Sequence, residues 1–165
     1  MKKVLLATLL FVGVAATSFA QDGGGKFSVG VEAGLPLGNA SDFYNLAIGG
    51  SLKYDLPIAE ATAFTVSAGY TSFMGKTIAG VKVPAVGFVP VKVGIKYNLA
   101  EALYAEAQVG ATARTTGSNK KVAFAYAPGI GYNFGGGVDL GVRYEGWAVS
   151  GGTTSQIAAR LAYSF

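Results

Sequence analysis

Five carboxylates, Glu32, Asp55, Glu106, Asp139 and Glu145, and six cations, Lys53, Lys92, Lys96, Arg114, Arg143 and Arg160, are each embedded in an apolar stretch. These are the residue types that could do acid–base or ionic chemistry. A carboxylate pair from Asp139 and Glu145, or Glu106 working against Arg114, would be the candidates for general acid–base work. Histidine and cysteine are both absent from the chain. That removes imidazole-based triads, thiolate nucleophiles, disulfides and the usual zinc sites. Neither Gly23-Gly24-Gly25 nor Gly135-Gly136-Gly137 leads into a helix or a Lys-Ser/Thr pair, so neither reads as a phosphate loop. The first looks like a flexible tether and the second like a turn. A Ser-Lys or carboxylate-only site stays formally open. The simpler reading is one mutually neutralising ionic network, with no enzyme activity, no cofactor and no metal.

The elements that must position these charges alternate with period two. Eight segments do so: roughly 26–35, 46–56, 63–73, 86–98, 103–114, 123–134, 138–147 and 155–165. Glycine interrupts nearly every apolar run, at a cost to a helix of roughly 1 kcal/mol each. One face of the first segment holds Phe27, Val29, Val31, Ala33 and Leu35, and the other holds Ser28, Gly30, Glu32 and Gly34. The fourth sets Val89, Val91, Val93, Ile95 and Tyr97 against Lys92, Gly94 and Lys96; the eighth sets Ile157, Ala159, Leu161, Tyr163 and Phe165 against Gln156, Arg160 and Ser164. The eleven charges named above all fall on the second kind of face.

Such a pattern suits a soluble barrel with its apolar face inward, or a membrane barrel with that face toward lipid. Three features favour lipid. The segments run to ten residues or more, against about 5–6 for a soluble strand and about 9–11 for a tilted spanning strand. The charged face is rich in Gly, Ala and Ser, as a narrow interior requires. With both termini on the periplasmic side, Phe27, Tyr54, Phe64, Tyr97, Tyr132, Phe134, Tyr163 and Phe165 share one height, while Tyr70, Phe124, Tyr126 and Tyr144 lie near the other end, as aromatic girdles do. Connections on the first side are short (57–62, 99–102, 135–137). Those opposite, 36–45, 74–85, 115–122 and 148–154, are longer and more polar.

The chain has 165 residues, 51% of them hydrophobic and only 13% charged, which excludes a disordered chain. Residues 1–20 read as a cleavable signal peptide: Lys2 and Lys3, an apolar run from Val4 to Ala16, then Ser18-Phe19-Ala20. With those two lysines gone the net charge falls from +4 to +2, too mild to argue for nucleic acid. Residues 21–165 form one domain, an all-β, closed, eight-stranded antiparallel up-and-down transmembrane barrel.

The mature chain resembles the small eight-stranded outer-membrane β-barrels of the OmpX and OmpA-transmembrane-domain type, the Bacteroidetes-type outer membrane protein β-barrel domain of the porin family. The resemblance rests on Phe88-Val89-Pro90-Val91-Lys92-Val93-Gly94-Ile95-Lys96-Tyr97, on Arg143-Tyr144-Glu145, and on the ending Arg160-Leu161-Ala162-Tyr163-Ser164-Phe165. It implies an integral outer-membrane location and recognition of Tyr163 and Phe165 by the outer-membrane assembly machinery. Where that family carries Gly five residues before its terminal aromatic, this chain carries Arg160.

An eight-stranded interior is narrow enough for side chains to fill. The expectation is a polar plug, with Arg114, Arg143 and Arg160 meeting Glu32, Glu106 and Glu145. Lys76, Lys82, Lys120 and Lys121 lie in the outer connections against Asp42, which points to lipopolysaccharide phosphates as partners beside the lipid itself. The expected role is structural or surface-interactive, adhesin-like or envelope-stabilising. The sequence names no external partner. The alternatives are a narrow passive channel and, from a different class, a soluble lipocalin-like periplasmic barrel.

Overall fold

In the computed structural model, which describes residues 24–116 and 121–165, eight long strands close into one antiparallel barrel. They are β1 (Lys26–Leu37), β2 (Tyr44–Ala59), β3 (Thr62–Gly75), β6 (Val86–Asn98), β7 (Leu103–Arg114), β8 (Val122–Gly135), β9 (Val138–Val149) and β10 (Gly152–Ser164). A short helix α1 (Asn39–Phe43) and a two-stranded hairpin, β4 (Thr77–Ile78) with β5 (Val81–Lys82), lie outside the barrel wall. Each long strand pairs with its neighbours in the chain, and β1 closes on β10 with Ser28 opposite Ser164. The expected signal peptide lies outside the described residues.

The strands run from 12 residues in β1 to 16 in β2. Alternation sorts their faces inside out. Val91, Leu140 and Leu161 are 50%, 37% and 51% exposed on the outer surface, whereas Lys92 and Arg160 are 3% and 6% exposed in the lumen. A soluble barrel would reverse this partition, because its only large dry volume is the interior. The inverted lipocalin-like alternative is therefore excluded. The aromatic girdle stands where the strand ends meet: Phe27 pairs with Tyr54, and Tyr132–Phe134 and Tyr163–Phe165 pack with ring centroids 5.0 and 5.2 Å apart.

At the end holding both termini the turns are short. Glu60-Ala61 joins β2 to β3, with Ala59 opposite Thr62. The turn after β8 uses three successive positive φ values, +79°, +58° and +87° at Gly135, Gly136 and Gly137. Glycine alone adopts that run without a Cβ penalty, which explains the triplet. At the opposite, loop end, the β4–β5 hairpin turns through Ala79 and Gly80, both with positive φ. The connection expected to be long over 148–154 is not: β9 and β10 continue until only Ser150-Gly151 remain between them. The β-branched Thr153 and Thr154 favour that extension.

Four prolines lie within strands of a barrel that has no edge: Pro36 and Pro57 near strand ends, Pro90 and Pro128 in strand interiors. The β3–β6 ladder skips from Ala68–Val91 to Thr71–Phe88, around Pro90, and the β8–β9 ladder skips from Tyr126–Gly146 to Gly129–Arg143, around Pro128. Each of these two interior prolines lacks the N–H that would face that neighbour. On the other side Pro90 and Pro128 keep their pairing with β7.

Candidate functional site: the lumen

The inward faces of all eight strands converge on a filled interior with three layers. Nearest the loop end is an aromatic layer. Phe73 packs edge-on against Tyr44 and Phe88 at 5.7 and 5.5 Å, and Trp147 lies 5.3 Å from Phe73 and 4.7 Å from Phe88. Ala47, Ala123 and Ala125 fill the space around these rings. The purely polar plug expected from the sequence is thus corrected at this level: the outer part of the lumen is apolar. The signal was present, since Phe73, Phe88 and Trp147 share strand parity with Thr71, Lys92 and Glu145.

The middle layer is ionic and centres on Glu145, which is 1% exposed. Its Oε1 accepts from Lys92 Nζ at 2.5 Å and from Trp147 Nε1 at 3.2 Å. Its Oε2 accepts from Arg143 Nε and Nη2 at 3.2 and 3.1 Å and from Gln156 Nε2 at 3.3 Å. Arg143 also reaches Glu32 Oε2 at 2.6 Å. Ser51 donates to Glu32 Oε1 at 2.6 Å. Arg160 lies 3.8 Å from that same oxygen and donates to Ser51 and Ser28. The indole of Trp147 therefore ties the aromatic layer to the ionic one.

The third layer faces the terminal end. Lys53 Nζ lies 3.3 Å from Glu106 and 3.6 Å from Asp55, and Lys96 Nζ lies 3.2 Å from Asp55. Gln108 bridges Glu106 to Thr65 and Ser67. Tyr104 donates to Asp139 Oδ1 at 2.9 Å and presents its ring to Lys96 Nζ, 4.0 Å from the centroid. Below this layer an open vestibule of about 220 Å³ widens toward the terminal end. Within the packed middle the voids shrink to about 20 Å³ each, the scale of a single water.

Nine of the eleven charges on the inward faces thus meet one another, four acidic and five basic, while Asp139 is held by the Tyr104 hydroxyl. The cation–anion assignment differs from the expected one. Glu106 is held by Lys53 rather than an arginine, and Glu32 takes both Arg143 and Arg160. Arg114 sits at the last position of β7, exposed at the loop end, and joins none of the ion pairs among the described residues. It has the right parity but the wrong height. Glu106 and Arg114 consequently do not form a unit. Asp139 and Glu145 bind different partners six residues apart on β9, about 20 Å along a strand.

Of the loop lysines, Lys82 and Lys121 are exposed, and Lys76 donates to the Ser41 carbonyl at 2.6 Å. Lys120 lies outside the described residues. Tyr163 and Phe165 are both exposed on the outer face at the terminal end.

A closed eight-stranded barrel with a greasy exterior, aromatic girdles and an ionic lumen is a transmembrane barrel in architecture. The chain belongs to the outer membrane protein beta-barrel domain family, whose model matches residues 5–165. It is an integral protein of the outer membrane, and the terminal end with its short turns is the periplasmic one. Among solved structures it is similar to the Yersinia pestis outer membrane protein Ail in a phospholipid bilayer nanodisc, with 16% identity over 86% of this chain and 99% of that one, at TM-score 0.62. The N-terminal β-barrel domain of Pseudomonas aeruginosa OprF matches over 85% of this chain and 97% of its own at 9% identity and TM-score 0.57. The de novo designed barrel TMB2.3 matches over 87% and 96% at 22% identity and TM-score 0.56. No curated protein sequence matches the chain.

Proposed function

We propose that this protein is a structural and surface-interacting barrel that performs no catalysis and whose lumen is closed to ions. The observation that carries this reading is the continuity of the fill: an aromatic layer bonded through Trp147 to a charge-balanced network with residual voids of only about 20 Å³. A hydrated ion would have to break several charge-assisted hydrogen bonds at once to pass. Of its candidate acids, Glu106 and Glu145 sit in ion pairs and Asp139 accepts from the Tyr104 hydroxyl, so the carboxylates act as fill and fastening. Purified protein in planar bilayers is expected to show no steady open conductance. A large, sustained single-channel current would replace this reading with that of a narrow porin.

The loops supply the interacting surface. We propose that Lys76, Lys82, Lys120 and Lys121 meet lipopolysaccharide phosphates at the outer leaflet, with Asp42 the one acidic residue in the connections at that end. Changing all four lysines to Gln is expected to reduce lipopolysaccharide co-purification severalfold; unchanged co-purification would remove the assignment. Tyr163 and Phe165, side by side on the outer face, suit recognition by the assembly machinery.

A further inference from the structure

A cleft of about 220 Å³ opens at the loop end between α1 and the rims of β6, β7 and β10. Phe73 and Phe88 belong to both its lining and the aromatic layer of the lumen. Phe43, 50% exposed, lines it from α1. Thr154 supplies a hydroxyl, and Arg114 supplies the one charge that lines the cleft among the described residues. Arg114 is the one inward-parity cation left without a carboxylate among the described residues.

Apolar walls with a few polar groups at the lip are the usual make-up of a small-molecule site. A dry apolar cavity of about 150 Å³ already accepts a benzene ring. The volume here therefore holds one ring and a short acidic arm. We propose that this cleft binds small aromatic carboxylates from the external medium, the ring lying against Phe88 and Phe43 and the carboxylate taken by the Arg114 guanidinium. Charge complementarity selects the anion, because among the described residues no carboxylate lines the cleft to receive an amine. The site borders the aromatic layer of the lumen, and neither the closed-lumen reading nor the role of the loop lysines depends on it.

Trp147 is the single tryptophan of the chain and touches both phenylalanines of the lining, so its fluorescence reports on the cleft. The full chain, folded in detergent micelles, is titrated with phenylacetate, benzylamine and 2-phenylethanol. Phenylacetate is expected to give a saturable change, with the amine and the alcohol at least tenfold weaker. Arg114→Gln should weaken phenylacetate about tenfold or more, as loss of a charge-assisted contact does. Arg114→Lys should recover part of that loss, and Phe43→Ala should weaken binding without changing the preference for the anion. Heat-modifiable gel mobility verifies that each variant is folded. The proposal is overturned if phenylacetate gives no saturable change, if all three probes behave alike, or if Arg114→Gln binds as the parent does.

Discussion

Glu145→Ala is expected to lower the unfolding free energy by about 3–5 kcal/mol, the cost of stripping one partner from a buried ion pair. The carboxylate accepts contacts from Lys92, Arg143, Trp147 and Gln156 in a part of the lumen from which water is nearly excluded. Without it, Lys92 becomes a buried ammonium with no hydrogen-bonded partner, and Arg143 keeps only Glu32. Against a total stability of about 5–15 kcal/mol this is a large fraction. Urea unfolding of the barrel in lipid vesicles, read by Trp147 fluorescence and gel mobility, measures it. Adding Lys92→Met should restore much of the loss, because it removes the stranded cation while filling similar volume. A Glu145→Ala barrel within about 0.5 kcal/mol of the parent, the range of a surface change, would mean that the lumen is wet. In that case the closed-lumen reading would fall with it.

Val31→Arg is expected to cost about 2–4 kcal/mol in a bilayer, the penalty for an arginine near the midplane of a barrel's lipid face. Val31 lies halfway along β1, 66% exposed, opposite Leu161 of β10 and Gly50 of β2. At a water-facing position, so exposed a residue would tolerate the change within about 0.5 kcal/mol. The same vesicle unfolding assay distinguishes the two surroundings. A neutral result at Val31 would contradict the placement of the apolar face against lipid. Placing Arg at Tyr163 instead should cost much less, since the guanidinium there reaches the interface.

The two substitutions probe opposite sides of one wall, and together they show why the barrel is stable with its polarity reversed. Outside, lipid replaces the apolar core that a soluble domain must build for itself. Inside, ten charges and a set of amides and hydroxyls must find partners in a cylinder too narrow for bulk water. The partners come from different strands: Lys92 from β6 and Glu145 from β9, Arg143 from β9 and Glu32 from β1. These pairs stitch the lumen across the barrel as well as along the wall. Pro90 and Pro128 interrupt the ladder locally, and closure on both flanks keeps those gaps from becoming free edges.

Much of the lumen's make-up was legible from parity. Glu32, Lys53, Asp55, Lys92, Lys96, Glu106, Asp139, Arg143, Glu145 and Arg160 all alternate with residues now seen on the lipid face. Parity alone could not separate Arg114 from them, because it reports which face a residue occupies and not how high it sits. The aromatic layer escaped for the same reason. Phe73, Phe88 and Trp147 have inward parity but apolar chemistry, and only their common height makes them a layer. Helix α1 has five residues, too few for any periodic signal.

Local sequence thus determined the eight strands, the face each shows to lipid, the girdle residues and the glycine turn. Each of these follows from the two-residue period of an extended chain or from backbone sterics within a few positions. The tertiary structure alone decided which cation meets which anion, which rings stack, and which arginine stands at the mouth outside the ion pairs of the described residues. Those outcomes depend on the stagger between strands when the sheet closes, a property of the whole barrel that no single strand encodes.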